Sequence, residues 1–516
     1  MADRGGPAVG EYLRLSAERF PGRRSFVSGD GSHWTFAETN ARVNRLVDAL
    51  ASHGIGRGDR VAVFAVNGIG YAEVLFACLK LGCVYVPLNN RLRSVEVARL
   101  LERADPIAVF VDTRYGDLLR PLLVSVPVRL AVAFDGAVEG FVSYESLLAA
   151  GSPEEPEVRV GDEDIVGLAF TSGTTGTPKG VLQSQRMLRN LTTSITIDYE
   201  IRPDEFRYSS SPLFHIGGQS PVLMHAWRGF STLMLSQFSV DEVLPWMQSG
   251  GLTGCFLVPT MISAILADPR VRDSDYSELR SIVYGAAPMP PSVLRRAIEV
   301  FECDFVNAFG AGTETGLQTV LGSADHRRAV DGEEHILGSI GKPAYGVSLR
   351  LLDEQGEPVV RGEVGEIVTR NGQTMSGYLD MPEATAEALS DDGWFRAGDL
   401  AWQDDEGYLY LAGRRSDMII RGGENIYPIE VEDVLCEHPA IADAAVVGSP
   451  DEHWGEVVVG FVVSAPGAEL DPAAVLAHCR ERLAGYKVPV RVEVVDALPL
   501  NASGKVMRRK LREGLG

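Results

Sequence analysis

The sequence predicts an α/β protein with a large N-terminal domain of mixed, largely parallel sheets and helices and a small α+β C-terminal domain. Three observations carry that expectation. Short β-branched runs alternate with helix-period patterns through the first 170 residues, the signature of βαβ units and a parallel sheet. Near residue 410 the texture changes to dense glycine and charge in LAGRRSDMIIRGGENIYPIEVEDVL, and the last hundred residues carry their own strand and helix signals. With 516 residues the chain is also long enough for more than one core.

In chain order, RVAVFAV (Arg60–Val66) reads as a buried strand and YAEVLFACLKLG as a helix stopped by Gly82. VYVPL follows as a strand, SVEVARLLERA as a helix and IAVFVD as another strand. The acidic, proline-bearing GSPEEPEVRVGDED (Gly151–Asp164) reads as a surface connector. A boundary at Asp417 divides the chain into domains 1–416 and 417–516.

Composition removes several classes of function. Lys and Arg number 48 against 70 Asp and Glu, a formal net charge of −22, which argues against broad binding to nucleic acid or an anionic membrane. A phosphate ligand therefore needs a local site. The six cysteines (Cys78, Cys83, Cys255, Cys303, Cys436, Cys479) are scattered and read as reduced thiols. The nine histidines show no metal-ligand spacing. MADRGGPAVGEYLRLSAERF has no apolar signal core and no run approaches 18 apolar residues, so a cytoplasmic protein off the membrane is expected.

One stretch carries chemistry. TSGTTGTPKG (Thr171–Gly180) follows the apolar strand DIVGLAFT and so sits at a strand's carboxyl end, where open α/β sheets bind ligands. Glycines let backbone N–H groups approach, hydroxyls add donors, and Lys179 adds a point charge, a set that suits phosphates. It is not a Walker A loop, because Lys179 follows Pro178 and precedes Gly180. A flexible Gly/Thr surface turn is the alternative for such a loop taken alone.

TSGTTGTPKG resembles, position for position, the phosphate loop of the adenylate-forming superfamily: acyl-CoA synthetases, peptide-synthetase adenylation domains and luciferases. GAAP (Gly285–Pro288), GEIVTRNGQTMSGYLDMPEAT, WFRAGDL, GRRSDMIIRGGENIYPIEVE and LPLNASGKVMRR follow in family order over more than 300 residues. The resemblance implies a ligase that lets a carboxylate attack the α-phosphate of ATP and then passes the acyl group to a thiol. It implies ATP, Mg²⁺ and coenzyme A. By the same resemblance Thr171, Ser172, Gly173, Thr174, Thr175 and Lys179 would hold the β- and γ-phosphates, while Gly285, Ala286, Ala287, Phe309 and Gly310 would border the adenine. Thr313 would contact the α-phosphate and Glu314 would hold Mg²⁺, as suits a hard cation bound by carboxylate and phosphate oxygens. Asp399 would accept the ribose hydroxyls, Arg414 would add a ribose or phosphate contact, and Lys505 would bridge carboxylate and α-phosphate. His215 in SSSPLFHIGG would line the acyl pocket and gate the pantetheine channel. Structural readings stand beside these roles: Asp399 as a turn residue, Lys505 as a solvated lysine, His215 as a structural histidine.

The resemblance further implies a mobile C-terminal domain that turns about Asp417, with Gly422 and Gly423 walling the pantetheine tunnel and Trp454, Tyr486 and Lys487 meeting the CoA nucleotide. Trp454 has a core-tryptophan alternative. One motif departs from the family pattern of aromatic-Gly-x-Thr-Glu: FGAGTE has two residues, Ala311 and Gly312, between Gly310 and Thr313. An added residue spans roughly 3.3 Å of extended chain, and a misplacement of about 1 Å can cost on the order of 10²-fold in rate. That leaves room for a protein weak in adenylation and fed acyl-AMP by an upstream adenylating enzyme. WFRAGDL also has Ala397 where Ser or Thr is common. The alternatives to an acyl-CoA ligase are an acyl-AMP ligase that loads a carrier protein and a non-catalytic nucleotide-binding relative. A homodimer is open as well. Gly217, Gly218, Ala286, Ala308 and Ala311 are small residues that would border the acyl pocket, a hint of room for a bulky or branched apolar acid.

Overall fold

The structure, a computed structural model, describes residues 6–171, 178–248, 250–272, 274–287, 289–310, 312–500 and 506–515. They pack into two compact units: Met1–Leu337 with Pro343–Ser348 and Arg370–Phe395, and Gly338–Lys342 with Leu349–Thr369 and Arg396–Gly516. Among the described residues the strands form sheets of nine, eight, four and five.

The expected βαβ alternation is present. The run RVAVFAV forms the strand Arg60–Phe64, and the helix Ile69–Leu81 ends at Gly82, whose φ of +73° is the left-handed cap a glycine supplies without strain. Val84–Pro87 and Ala108–Val111 pair in parallel with Arg60–Phe64, and the helix Ser94–Ala104 lies between them in sequence. Apart from the partly exposed Arg60, these strands are buried, with apolar residues on both faces as parallel strands require. The strand Ile165–Thr171 joins the same eight-stranded sheet and folds back antiparallel on Lys179–Ser184. The connector after Gly151 has neither helix nor strand up to Ile165, yet it is anchored: Lys80, almost wholly buried, reaches Glu155 at 2.5 Å and Asn40 and Asn44 at 2.8 and 2.7 Å.

The nine-stranded sheet has a parallel centre in the order Asp304–Phe309, Ser281–Gly285, Gly254–Leu257, Phe206–Ser209, Ser231–Met234, Arg24–Ser28. The carboxyl ends of its strands therefore share one side. The second unit contains the four-stranded sheet Ser348–Leu352, Gly365–Arg370, Phe395–Gln403, Leu409–Arg414 and a five-stranded sheet built on the long pair Ile441–Asp451 and Gly455–Ser464. No helix among the described residues is long and apolar enough to cross a membrane, and all six cysteines are free.

A histidine sits in the core of the first unit. His225 has no exposed surface; its ring lies between Phe26 and Phe36 at 4.3 and 4.8 Å, with Ser25 Oγ 3.0 Å from Nε2 and Thr232 Oγ1 3.1 Å from Nδ1. Burial disfavours the imidazolium and pushes its pKa down to about 3. Between that value and the ordinary histidine value near 6.5 the unfolded chain binds the extra proton, so stability is full above about pH 6.5 and falls as pH drops. The expected loss at pH 4.5 is about 2–3 kcal/mol from this residue. Thermal melts from pH 7 to 4.5 should show it, and His225→Gln should flatten that part of the profile; a variant as acid-sensitive as the wild type would contradict the assignment.

Candidate active site

Three loops leave the carboxyl ends of parallel strands in the nine-stranded sheet of the first unit. The strand Ser281–Gly285 runs into Ala286 and Ala287, and Asp304–Phe309 beside it runs into Gly310 and the Thr313–Glu314 turn. Gly285 is dictated by packing, since a Cβ there would overlap the Ala308 carbonyl. Ala286 holds a φ of +70°, which costs a non-glycine residue about 1–2 kcal/mol. The third loop follows Phe206–Ser209 and ends at His215, which N-caps the helix Ile216–Arg228. Asn67 pins that loop from the other sheet: its side chain accepts from the Leu213 N–H at 2.7 Å and donates to the Ser211 carbonyl at 3.0 Å. The loop and the Glu314 turn approach each other, with a Cβ placed on Gly312 lying 3.4 Å from Ile216 Cγ2.

The Glu314 turn is closed by two glycines in the left-handed region, Gly312 at φ +48° and Gly316 at φ +64°, with the Gly316 N–H on the Gly312 carbonyl at 3.0 Å. A second segment, residues 371–375, clamps it. Gln373 Oε1 accepts from the Leu317 N–H at 3.1 Å, Asn371 Nδ2 donates to Thr315 Oγ1 at 3.1 Å, and the Met375 N–H reaches the Glu314 carbonyl at 2.7 Å. Residue Ala311 itself lies outside the described residues. On one side of it Phe309, half-buried, pairs with Thr319 in the unbroken register Asn307↔Leu321, Ala308↔Val320, and on the other the glycine turn closes.

Thr171 and Lys179, at the base of the hairpin Ile165–Thr171 and Lys179–Ser184, bring the eight-stranded sheet to the same place. They face each other across the strand pair, while Ser172, Gly173, Thr174 and Thr175 lie outside the described residues. The edge strand Gly377–Tyr378 pairs with Lys179–Ser184, and this pairing sets Tyr378 between two ionic groups. Lys179 Nζ stands 4.8 Å from the Tyr378 ring centroid, and the Tyr378 hydroxyl is 3.5 Å from Glu314 Oε1. Burial, then the Glu314 charge, holds the tyrosine above its ordinary pKa, so it stays a donor. The PEAT segment has a structural task here: Thr385 Oγ1 accepts from the Tyr378 N–H at 2.9 Å and fixes the turn. Tyr378, Asn371 and Gln373 are site residues that motif reading left without a role; the Gly-Tyr pair before Pro382 was their only signal. Gly218 proves small for a reason other than pocket volume, because a Cβ there would overlap the Pro212 carbonyl.

In the second unit Asp399 and Arg414 are cross-strand partners, Arg414 Nε donating to Asp399 Oδ1 at 2.9 Å, with the aspartate buried and the arginine half-exposed. Asp417 closes the short turn Arg415–Asp417, and its carboxylate lies 3.6 Å from Arg508 Nη1 and 3.7 Å from Arg512 Nη2. Gly422 and Gly423, at φ +61° and +91°, make the two-residue turn of the hairpin Ile419–Arg421 and Glu424–Ile426, a geometry that calls for glycine at both positions. They differ in surroundings: a Cβ on Gly423 meets open space, whereas one on Gly422 would lie 2.8 Å from Trp454 Cε3. Trp454 and Tyr486 are exposed at 46% and 38%, so Trp454 is not a core tryptophan, and Lys487 pairs with Glu430. Lys505 lies outside the described residues.

A family model described as AMP-binding enzyme matches residues 13–379, and one described as AMP-binding enzyme C-terminal domain matches 430–505. The chain belongs to the AMP-binding enzyme family. It is 37% identical over 491 residues to a feruloyl-CoA synthase of an Amycolatopsis species, covering 95% of this chain and 96% of that protein. It is 34% identical over 489 residues to the fatty acid–[acyl-carrier-protein] ligase ScoC of Streptomyces coeruleorubidus, covering 94% and 92%. The crystal structure of ATP-bound MatB from Rhodopseudomonas palustris superposes with a TM-score of 0.90 at 29% identity, over 98% of this chain and 99% of that one. Within the adenylate-forming superfamily the chain stands close to the acyl-CoA synthetases.

The clamp on the Glu314 turn can be tested. Gln373→Ala leaves the buried Leu317 N–H without its acceptor and should cost about 1–3 kcal/mol of stability. Pyrophosphate release with acid and ATP should fall by roughly tenfold or more, because the turn loses its position. A variant that melts lower yet adenylates at the wild-type rate would show that the clamp serves folding alone.

Proposed function

We propose that this protein is an AMP-forming acid–thiol ligase that activates a carboxylic acid with ATP and transfers the acyl group to coenzyme A. The observation that carries the reading is the convergence of Lys179, Tyr378 and Glu314 at the carboxyl ends of the two large sheets. In the first half-reaction a carboxylate oxygen attacks the α-phosphorus, the bond to the β-phosphate oxygen breaks, and pyrophosphate leaves. In the second the thiol sulfur attacks the acyl carbon, loses its proton, and AMP leaves. Neither needs a covalent enzyme intermediate, so catalysis is positioning and charge neutralisation.

Lys179 and the loop hydroxyls hold the terminal phosphates, Thr313 meets the α-phosphate, and Asp399 with Arg414 holds the ribose. Among the described residues no group of three His, Cys, Asp or Glu side chains could hold a metal ion. A single carboxylate, Glu314, would hold Mg²⁺, a hard cation that takes oxygen ligands, and the ion would supply charge neutralisation for the polyphosphate. Ala286, Gly285 and Phe309 border the adenine, His215 faces the acyl and pantetheine path, and Lys505 bridges carboxylate and α-phosphate. The second half-reaction follows a turn of residues 417–516 about Asp417 that brings the Gly422–Gly423 hairpin to the acyl-AMP. The acid is bulky and apolar, with an aromatic acid favoured: the feruloyl-CoA synthase is a 37% identical relative, and Ala286 and Ala308 keep bulk away from the strand ends.

A panel of aromatic, branched and linear acids, assayed for pyrophosphate release and for CoA thioester by mass spectrometry, tests the assignment. At least one aromatic acid should give both products in equal amounts; pyrophosphate without thioester would favour another acceptor, and neither product would end the ligase reading. Lys505→Ala should cut acyl-AMP formation by about 10²-fold or more while sparing conversion of supplied acyl-AMP and CoA to thioester. Equal loss in both half-reactions would rule out a moving C-terminal domain. Deleting Ala311 tests the loop: if the added residue weakens adenylation, the deletion raises pyrophosphate release, and a brisk wild type harmed by the deletion means the bulge is accommodated.

A further inference from the structure

Arg421 had no role in the reading of motifs, yet it joins three segments of the second unit that lie far apart in sequence. Its guanidinium carbon lies 5.6 Å from the Trp454 ring centroid, and its Nη1 donates to the Tyr486 carbonyl at 2.8 Å. The Gly422 N–H, next in the chain, donates to the Trp454 carbonyl at 2.7 Å. Trp454 is further held by the His453 ring, edge-on at 4.6 Å, and by Asp451, whose carboxylate accepts from the N–H groups of both residues at 2.9 Å. Lys487 follows Tyr486, with its Nζ 5.6 Å from that ring. A fixed, half-exposed indole thus lies beside an arginine and a histidine, on a chain whose net charge is −22.

Such a surface has a specific chemistry. An exposed indole stacks nucleobases, and a guanidinium beside it binds phosphate through its planar fork. Arginine has five N–H donors, and the Tyr486 carbonyl takes one of them. We infer that Arg421 sets the choice of thiol acceptor: it positions Trp454 as a plate for adenine and offers its remaining donors to the phosphates of an adenine nucleotide, so that the acceptor is coenzyme A rather than pantetheine on a carrier protein. This rests on the ligase assignment above and deepens it. A carrier protein's pantetheine arm has no adenine and gains nothing from the plate.

The test compares CoA with pantetheine as acceptor for supplied acyl-AMP, in the full-length wild type, Arg421→Met and Arg421→Lys. The methionine keeps an apolar stem of similar length and removes charge and donors; the lysine keeps the charge without the fork. The ratio of kcat/KM for CoA to that for pantetheine should fall about tenfold or more in Arg421→Met, the lower range for a charged hydrogen bond, and by less in Arg421→Lys. An unchanged ratio overturns the inference, and so does an equal loss with both acceptors, which would make Arg421 a structural strut. Calorimetric titration with adenosine 3′,5′-bisphosphate reads the same residue without turnover. Wild type should bind it more tightly than Arg421→Met by a similar factor, and equal affinities overturn the inference. Should the wild type form no thioester with either acceptor, the ligase reading fails while this titration still judges Arg421.

Discussion

One tyrosine ties the candidate site together. Tyr378 places its ring under the Lys179 ammonium and its hydroxyl against the Glu314 carboxylate, and it does so from an edge strand only two residues long. A cation and an anion that met directly would tend to neutralise each other; an aromatic ring with a polar tip lets each end keep a partner. Its position depends on the strand pairing Gly377↔Leu182 and Tyr378↔Val181, which brings together residues some 200 apart in sequence. The same stretch supplies Asn371 and Gln373, so a single excursion of the chain from residue 371 to 378 sets both the tyrosine and the turn that carries Glu314.

Much of the fold was legible. The helix over SVEVARLLERA falls on Ser94–Ala104, because its apolar residues recur at helical spacing and bury one face. The strands around it are short, β-branched and wholly buried, and Gly82 stops its helix as a left-handed cap. Chemistry set the Thr171–Gly180 loop at a strand end and the family resemblance supplied Ala286, Gly310 and Glu314; Thr171, Ala286, Gly310 and Glu314 lie at or just past strand ends, where a parallel sheet leaves a crevice.

What sequence reasoning missed is what tertiary pairing creates. Nothing local marks Gln373 as the acceptor for the Leu317 N–H 56 residues away, or Arg421 as the link between Trp454 and Tyr486. Side chains that hold other side chains have no fixed spacing and no special backbone, so they surface only when the sheet register is known. Glycines carry packing constraints that composition alone does not show. Gly218 suggested space and serves close packing on Pro212, while Gly423 opens onto empty space and its neighbour Gly422 rests on an indole.

These arrangements have meaning together only if the carboxylate of a substrate becomes bonded to the α-phosphorus of ATP. The direct measurement uses an acid accepted by the enzyme, labelled with ¹⁸O in both carboxylate oxygens, in a complete reaction with ATP and CoA. Mass spectrometry of the nucleotide product should find one ¹⁸O in AMP and none in pyrophosphate, because the acyl carbon–oxygen bond breaks when the thiol attacks. AMP without label, or label in inorganic phosphate with ADP as the nucleotide product, would contradict the account.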